Sequence, residues 1–161
     1  TKESIFNIIE HSNKLNINLN ESIILDLFSG VGSFGIECLS RGAKKVVFIE
    51  NYSGVLPILK KNLANLKTVN NYEIFERDIY KSDFQIDLNN KFNLIFLDPP
   101  YADKYINELL YKIIKSKLLD DDGIIIVHRH KSEKFFFSSD FKIIDEKKYG
   151  VSKIFFLSKL N

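Results

Sequence analysis

Asp98-Pro99-Pro100-Tyr101 is the most specific run in this 161-residue chain. An exocyclic amine on a nucleic-acid base is a poor nucleophile, because its lone pair is delocalised into the ring. Catalysis at such a nitrogen must localise that pair. The Asp98 carboxylate and the Pro99 carbonyl can each accept an N–H bond and push the nitrogen towards tetrahedral geometry, while Tyr101 offers an aromatic face on which an extruded base can stack. Pro99 and Pro100 have no N–H and stiffen the backbone, so the carbonyl keeps its aim. The competing reading is a Pro-Pro turn that ends a strand beside a solvated aspartate.

A second run, Asp26-Leu27-Phe28-Ser29-Gly30-Val31-Gly32-Ser33-Phe34-Gly35, puts glycines between an apolar strand and a helix, where ligands bind in doubly wound sheets. Glu50 lies twenty residues beyond Gly30 and meets the pattern of an acid that binds ribose hydroxyls. Glycines and acid together suit a dinucleotide as well as S-adenosylmethionine. Asp26 separates the two, because a carboxylate beside the loop repels a pyrophosphate and suits a ligand carrying ammonium and sulfonium charges. The expected cofactor is therefore S-adenosylmethionine. Asp26, Phe28, Gly30 and Gly32 belong to its loop, Glu50 meets the ribose diol and Asp78 the adenine amino group, and Asn51 and Ile79 are further cofactor-binding candidates. For Asp78 a solvated acid after a strand is as good a reading.

These residues need a frame, and the apolar periodicity supplies one. Helices are expected over 1–15, from the glycine turn through Leu39, over 55–66 and over 105–118. Strands are expected at 22–28, 45–50, 72–75, 92–97 and 124–128, the last opened by an Asp121-Asp122-Gly123 turn. Two more β-rich runs, 141–149 and 153–157, flank Gly150 and read as an antiparallel pair. Strands alternating with helices predict an α/β fold: a single Rossmann-like domain over 1–161, with a mostly parallel seven-stranded sheet, a C-terminal antiparallel pair and helices on both faces.

Composition narrows the setting. The chain is 45% hydrophobic and 27% charged with a formal net charge of +2, which permits a polyanionic partner without requiring one. Cys38 is the single cysteine, and no apolar run approaches the roughly 20 residues that span a bilayer. A cytoplasmic protein without membrane attachment is the expectation. His11 and Cys38 fall on helices and are read as structural.

Taken together, Asp26 to Gly32, Glu37-x-Leu39-Ser40-Arg41-Gly42-Ala43, Phe48-Ile49-Glu50, Asn62-Leu63, Asp98 to Tyr101 and Tyr149-Gly150 resemble the RsmD family of bacterial 16S rRNA guanine-N2 methyltransferases. The Ser40 to Ala43 turn favours this family over adenine-N6 DNA methyltransferases, which share the cofactor loop and Asp-Pro-Pro-Tyr. The resemblance implies a class I methyltransferase that uses S-adenosylmethionine on guanine 966 of 16S rRNA in a small-subunit particle, as a monomer and without a metal. It also implies a basic β-hairpin ahead of the first helix, which the start at Thr1 is expected to lack, so that RNA docking would be weak. His128-Arg129-His130 stands where many members carry a strand-end Glu-His pair, and no catalytic role is expected of these histidines. Lys104, Lys131 and Lys134 could frame a docking face. A nicotinamide-dependent oxidoreductase and a catalytically inactive RNA-binding domain are the readings from other classes.

Overall fold

The computed structural model describes residues 2–67, 69–81, 91–100, 105–134 and 136–160. Seven strands form one sheet in the order β3-β2-β1-β4-β5-β7-β6. They are β1 Ile23–Leu27, β2 Lys45–Ile49, β3 Tyr72–Phe75, β4 Phe92–Leu97, β5 Leu119–His130, β6 Phe141–Tyr149 and β7 Ser152–Lys159. The first five are mutually parallel, and β7 runs antiparallel between β5 and β6. This is the expected α/β architecture.

Side-chain alternation sorts the strands onto two cores. Ile24, Val46, Phe48, Leu94, Phe96, Ile126 and Ile154 point to one face, where they meet helices α1 (Lys2–His11), α2 (Ser33–Ser40) and α3 (Leu56–Ala64). Leu25, Val47, Ile95, Leu97, Ile125 and Val127 point to the other, against Ile106, Leu109, Leu110 and Ile113 of α4 (Ile106–Lys115). Central strands buried on both faces are expected to be largely apolar, and β1, β2 and β4 read as hydrophobic runs interrupted inside by Asp26 in β1 and Asn93 in β4.

Several boundaries differ from the sequence expectation. Helix α1 stops at His11, so Leu15 is buried from an extended segment, and His11 is exposed at the helix end. Helix α3 ends at Ala64, and α4 ends at Lys115 before Lys117 turns to φ 55°. Strand β5 is the largest departure: it begins at Leu119 and runs through His130. Leu119 pairs with Phe92 before Ile124 pairs with Leu94, so Asp121 to Gly123 form a bulge inside the strand instead of a turn ahead of it. Burial of Leu119 against the core outweighs the local turn signal.

The glycine turn is shaped by contact as much as by conformation. Gly32 caps α2 at φ 88°, and a Cβ there would lie 2.5 Å from Leu59 Cδ1. On α2 itself, a Cβ on Gly35 would come within 2.7 Å of Phe48 Cζ and 3.0 Å of Asp26 Oδ2. Exchanging an ordinary helical glycine for alanine stabilises a helix by up to about 1 kcal/mol. Here the overpacking should reverse the sign, and Gly35→Ala is expected to destabilise the fold by roughly 1–3 kcal/mol in urea unfolding.

Candidate active site

Four carboxylates collect where the parallel strands end. Asp26 is the fourth residue of β1, and Glu50, Asp78 and Asp98 follow β2, β3 and β4. The sequence order reverses between β1 and β4, which are hydrogen-bonded neighbours with Leu27 opposite Leu97. That reversal opens the crevice in which open α/β sheets bind ligands.

Asp26 is 1% exposed, and its Oδ2 accepts the Gly35 N–H at 3.1 Å. Burial, reinforced by Asp98 and Glu50 and opposed by the Gly35 hydrogen bond, raises its pKa from 3.8 to about 8. Phe28 next door sits at φ 58°, a strained conformation for a side chain of this size and one typical of functional turns. Ser29 closes the turn, donating its hydroxyl to the Asp26 carbonyl at 2.6 Å. Asn62 on α3 reaches across to the Val31 carbonyl at 2.9 Å.

Glu50 ties the glycine loop to the end of β2. Its Oε1 accepts the Gly30 N–H at 2.8 Å, and its Oε2 accepts the N–H groups of Asn51 and Tyr52, each at 3.0 Å. Phe28, Glu50, Asn51, Asp78, Ile79, Asp98 and Pro100 line one cavity of about 520 Å³. A second, of about 310 Å³, shares Phe28 and Asp98 and adds Lys2, Ile5, Asp26, Gly30, Phe34, Phe96 and His128. Its aromatic wall is a stack in which Phe34 lies 4.0 Å from Phe96 and 5.1 Å from Phe6 of α1. Asp26, Phe28, Gly30, Glu50, Asn51, Asp78, Ile79, Asp98 and Pro100 thus line two adjoining cavities, while Gly32 caps α2 and Pro99 is buried without lining either. Tyr101 and Lys104 lie outside the described residues. Lys131 and Lys134 are exposed beyond the end of β5.

Two residues to which sequence reasoning assigned no site role, His128 and Arg129, contact the Asp98-Pro99-Pro100 turn, and Arg41 of the family-like turn seats α1 beside the cavity. His128 Nδ1 lies 2.9 Å from Asp98 Oδ1, and its Nε2 lies 2.8 Å from Ser152 Oγ. Arg129, 3% exposed on the opposite face, reaches the Pro100 carbonyl at 3.4 Å and pairs with Glu133. Arg41, in the turn after α2, docks α1: it bonds Glu10 at 3.1 Å and Glu37 at 3.0 Å and lies 4.6 Å over the Phe6 ring. No group of three or more metal-ligating side chains occurs among the described residues.

The family model described as conserved hypothetical protein 95 matches residues 1–158. The chain belongs to the RsmD family. An RsmD relative in Haemophilus influenzae, ribosomal RNA small subunit methyltransferase D, is 32% identical over 136 residues, which span 83% of this chain and 69% of that protein. A methylase of Rickettsia prowazekii is 27% identical across 97% of this chain and 85% of its own length. Among solved structures, a conserved hypothetical protein of Streptococcus pyogenes superposes with a TM-score of 0.83 at 26% identity, covering 99% of this chain and 96% of that one.

The buried carboxyl of this RsmD chain makes stability depend on pH. Because folding raises the pKa of Asp26, its contribution to stability is fully present below about pH 4 and is lost as the pH rises through about 8. The slope can reach about 1.4 kcal/mol per pH unit. Asp26→Asn can keep the acceptor for Gly35 but cannot ionise. Urea unfolding at pH 5 and pH 8 should therefore show the variant gaining on the unsubstituted protein at the higher pH, and parallel pH profiles would contradict the assignment.

Proposed function

We propose that the chain transfers a methyl group from S-adenosylmethionine to the exocyclic N2 amine of a guanine in 16S rRNA, within a small-subunit particle. In this reading it works as a cytoplasmic monomer and needs no metal ion. The observation that carries the reading is Asp98, the first residue of the Asp-Pro-Pro run, standing at the switch point beside a carboxylate-rich crevice with an aromatic wall. Membership of the RsmD family and the name of the Haemophilus influenzae relative support rRNA as the substrate. No helix among the described residues is long and apolar enough to cross a membrane.

The residues present fit a cationic cofactor. Burial first, and then the nearby Asp98 and Glu50 carboxylates, keep the Asp26 carboxyl largely protonated near neutral pH, and a cation placed among the three would offset the cost of ionising it. A pyrophosphate in the same place would add to it. Asp26 and the loop at Gly30 would hold the charged end of S-adenosylmethionine. Glu50, with Asn51, would take the ribose diol, and Asp78 with Ile79 the adenine. Bound there, the cofactor supplies a methyl group on a positively charged sulfur, whose departure needs no acid.

The chain's own groups prepare the other reactant. Asp98, 48% exposed at its side chain, faces the cavity mouth and accepts one N–H of the amine, while the carbonyl of buried Pro99 accepts the other. Both bonds concentrate the nitrogen lone pair. The proton released after transfer passes to Asp98 or to water. Holding the amine in line accounts for much of the acceleration, since correct placement of two reactants is worth about 7–11 kcal/mol at best.

Three measurements test this. Calorimetry should show S-adenosylhomocysteine binding more tightly than NAD, with Glu50→Ala weakening it by about 1–3 kcal/mol through loss of a polar contact. Asp98→Ala should nearly abolish methyl transfer to small-subunit particles while leaving that affinity little changed. Mapping the methylated nucleotide by mass spectrometry decides between guanine N2 and adenine N6, and transfer to adenine would overturn the base assignment.

A further inference from the structure

The end of β5 grips the Asp98-Pro99-Pro100 turn from both sides of the sheet. His128 and Arg129 are consecutive, so their side chains leave opposite faces. His128 takes the Asp98 carboxylate on the face shared with Asp26 and Phe96, and Arg129 takes the Pro100 carbonyl on the other. We propose that His128, held in turn by Ser152, is a positioning residue for methyl transfer: it orients the Asp98 carboxylate so that one oxygen is committed to the protein and the other faces the amine.

The hydrogen-bond chain has a consistent direction. An imidazole with its proton on Nδ1 donates to Asp98 Oδ1 at 2.9 Å, and its Nε2 then accepts the Ser152 hydroxyl at 2.8 Å. Bonds aligned this way polarise one another and strengthen the one that ends on the carboxylate. Ser152 opens β7, the second strand of the C-terminal hairpin, where it pairs with Tyr149 of β6 and His130 of β5. His128 itself lies opposite Ile154, whose side chain is fully buried, so the ring grows from a rigid part of the sheet. The antiparallel pair thus anchors the acceptor side of the crevice, although it lies on the far side of β5 from the cofactor loop.

Such positioning matters because Asp98 is otherwise half-exposed at the end of its strand, on a turn whose prolines fix the backbone but leave the carboxylate free to rotate. A displacement of about 1 Å can cost on the order of 100-fold in rate. The inference rests on Asp98 being the amine's acceptor, and the experiment separates the two. Single-turnover methylation of small-subunit particles is measured for the unsubstituted protein and for His128→Ala, His128→Asn, Ser152→Ala and Asp98→Ala, with S-adenosylhomocysteine affinity measured by calorimetry. His128→Ala should lower the saturating rate about 10- to 100-fold, with half-saturation and cofactor affinity within about 2-fold of the unsubstituted protein. The Asn amide nitrogen replaces the Nδ1 donor, so His128→Asn should recover most of the loss, and Ser152→Ala should fall in between. A normal rate in His128→Ala beside an inactive Asp98→Ala would overturn the positioning role alone, as would an equal loss in the Ala and Asn variants. An active Asp98→Ala enzyme would overturn the underlying reading.

Discussion

The pairing of β1 with β4 is the constraint from which the site follows. These two strands were brought together from distant parts of the chain, with Asp26 opposite Phe96 and Leu27 opposite Leu97. Alternation then puts Asp26, Phe96 and Asp98 on one face, with Phe96 level with Asp26 and Asp98 two residues further along the strand direction. A shift of one residue in this register would send Asp98 to the opposite core and leave Asp26 facing Leu97 or Ile95. The apolar sets on both faces, Ile24 and Phe96 on one and Leu25 and Leu97 on the other, forbid that shift. Burial on two sides thus fixes the geometry of a polar site to which it contributes no polar group.

The same burial creates the electrostatic tension in the crevice. A carboxyl at 1% exposure with two carboxylates near it is costly when ionised, and a single backbone N–H from Gly35 offsets that cost only in part. Gly35 has no side chain because the Phe48 ring and Asp26 occupy the space. Packing, helix start and carboxylate are therefore one arrangement, and the strain at Phe28 lies in the turn that joins them. A fold optimised for stability alone would have neutralised Asp26. A ligand carrying positive charge, as proposed for this crevice, would offset that cost.

What the sequence made legible was local. Asp26, Gly30, Gly32, Glu50 and Asp98 stand at the ends of apolar runs, so the strand pattern and the residue types located them together. His128, Ser152 and Arg129 escaped for a different reason: their partners lie 30, 24 and 29 positions away and depend on strand order and register. Nothing in the composition of Val127-His128-Arg129-His130 says which strand will lie beside it. Strand β5 shows the same limit, because Asp121-Asp122-Gly123 carries a strong turn signal, yet the pairing of Leu119 with Phe92 keeps the segment in the sheet. Arg41 was legible as part of a family-like turn, but its role in seating α1 over Phe6 required the tertiary arrangement.

Charge layout then arranges the two reactants of the proposed reaction by depth. Asp26 is buried in the crevice and Glu50 half-buried at its edge, where a cation would be stabilised and a phosphate repelled. Lys131 and Lys134 stand outside it, past the end of β5, where solvent screens them and a polyanion can approach. Between these zones lie Asp98, His128 and the ring of Phe96, a mouth with hydrogen-bond acceptors and an aromatic wall, where the one Lys or Arg lining the cavity among the described residues is Lys2, paired with Glu37 at 3.4 Å. A nucleotide can satisfy all three zones only by leaving its phosphate at the rim and swinging its neutral base inward. In the proposed reaction, base extrusion would be favoured by the same carboxylates that would hold the cofactor, since they repel any pose that brings the phosphate backbone closer to the sulfur.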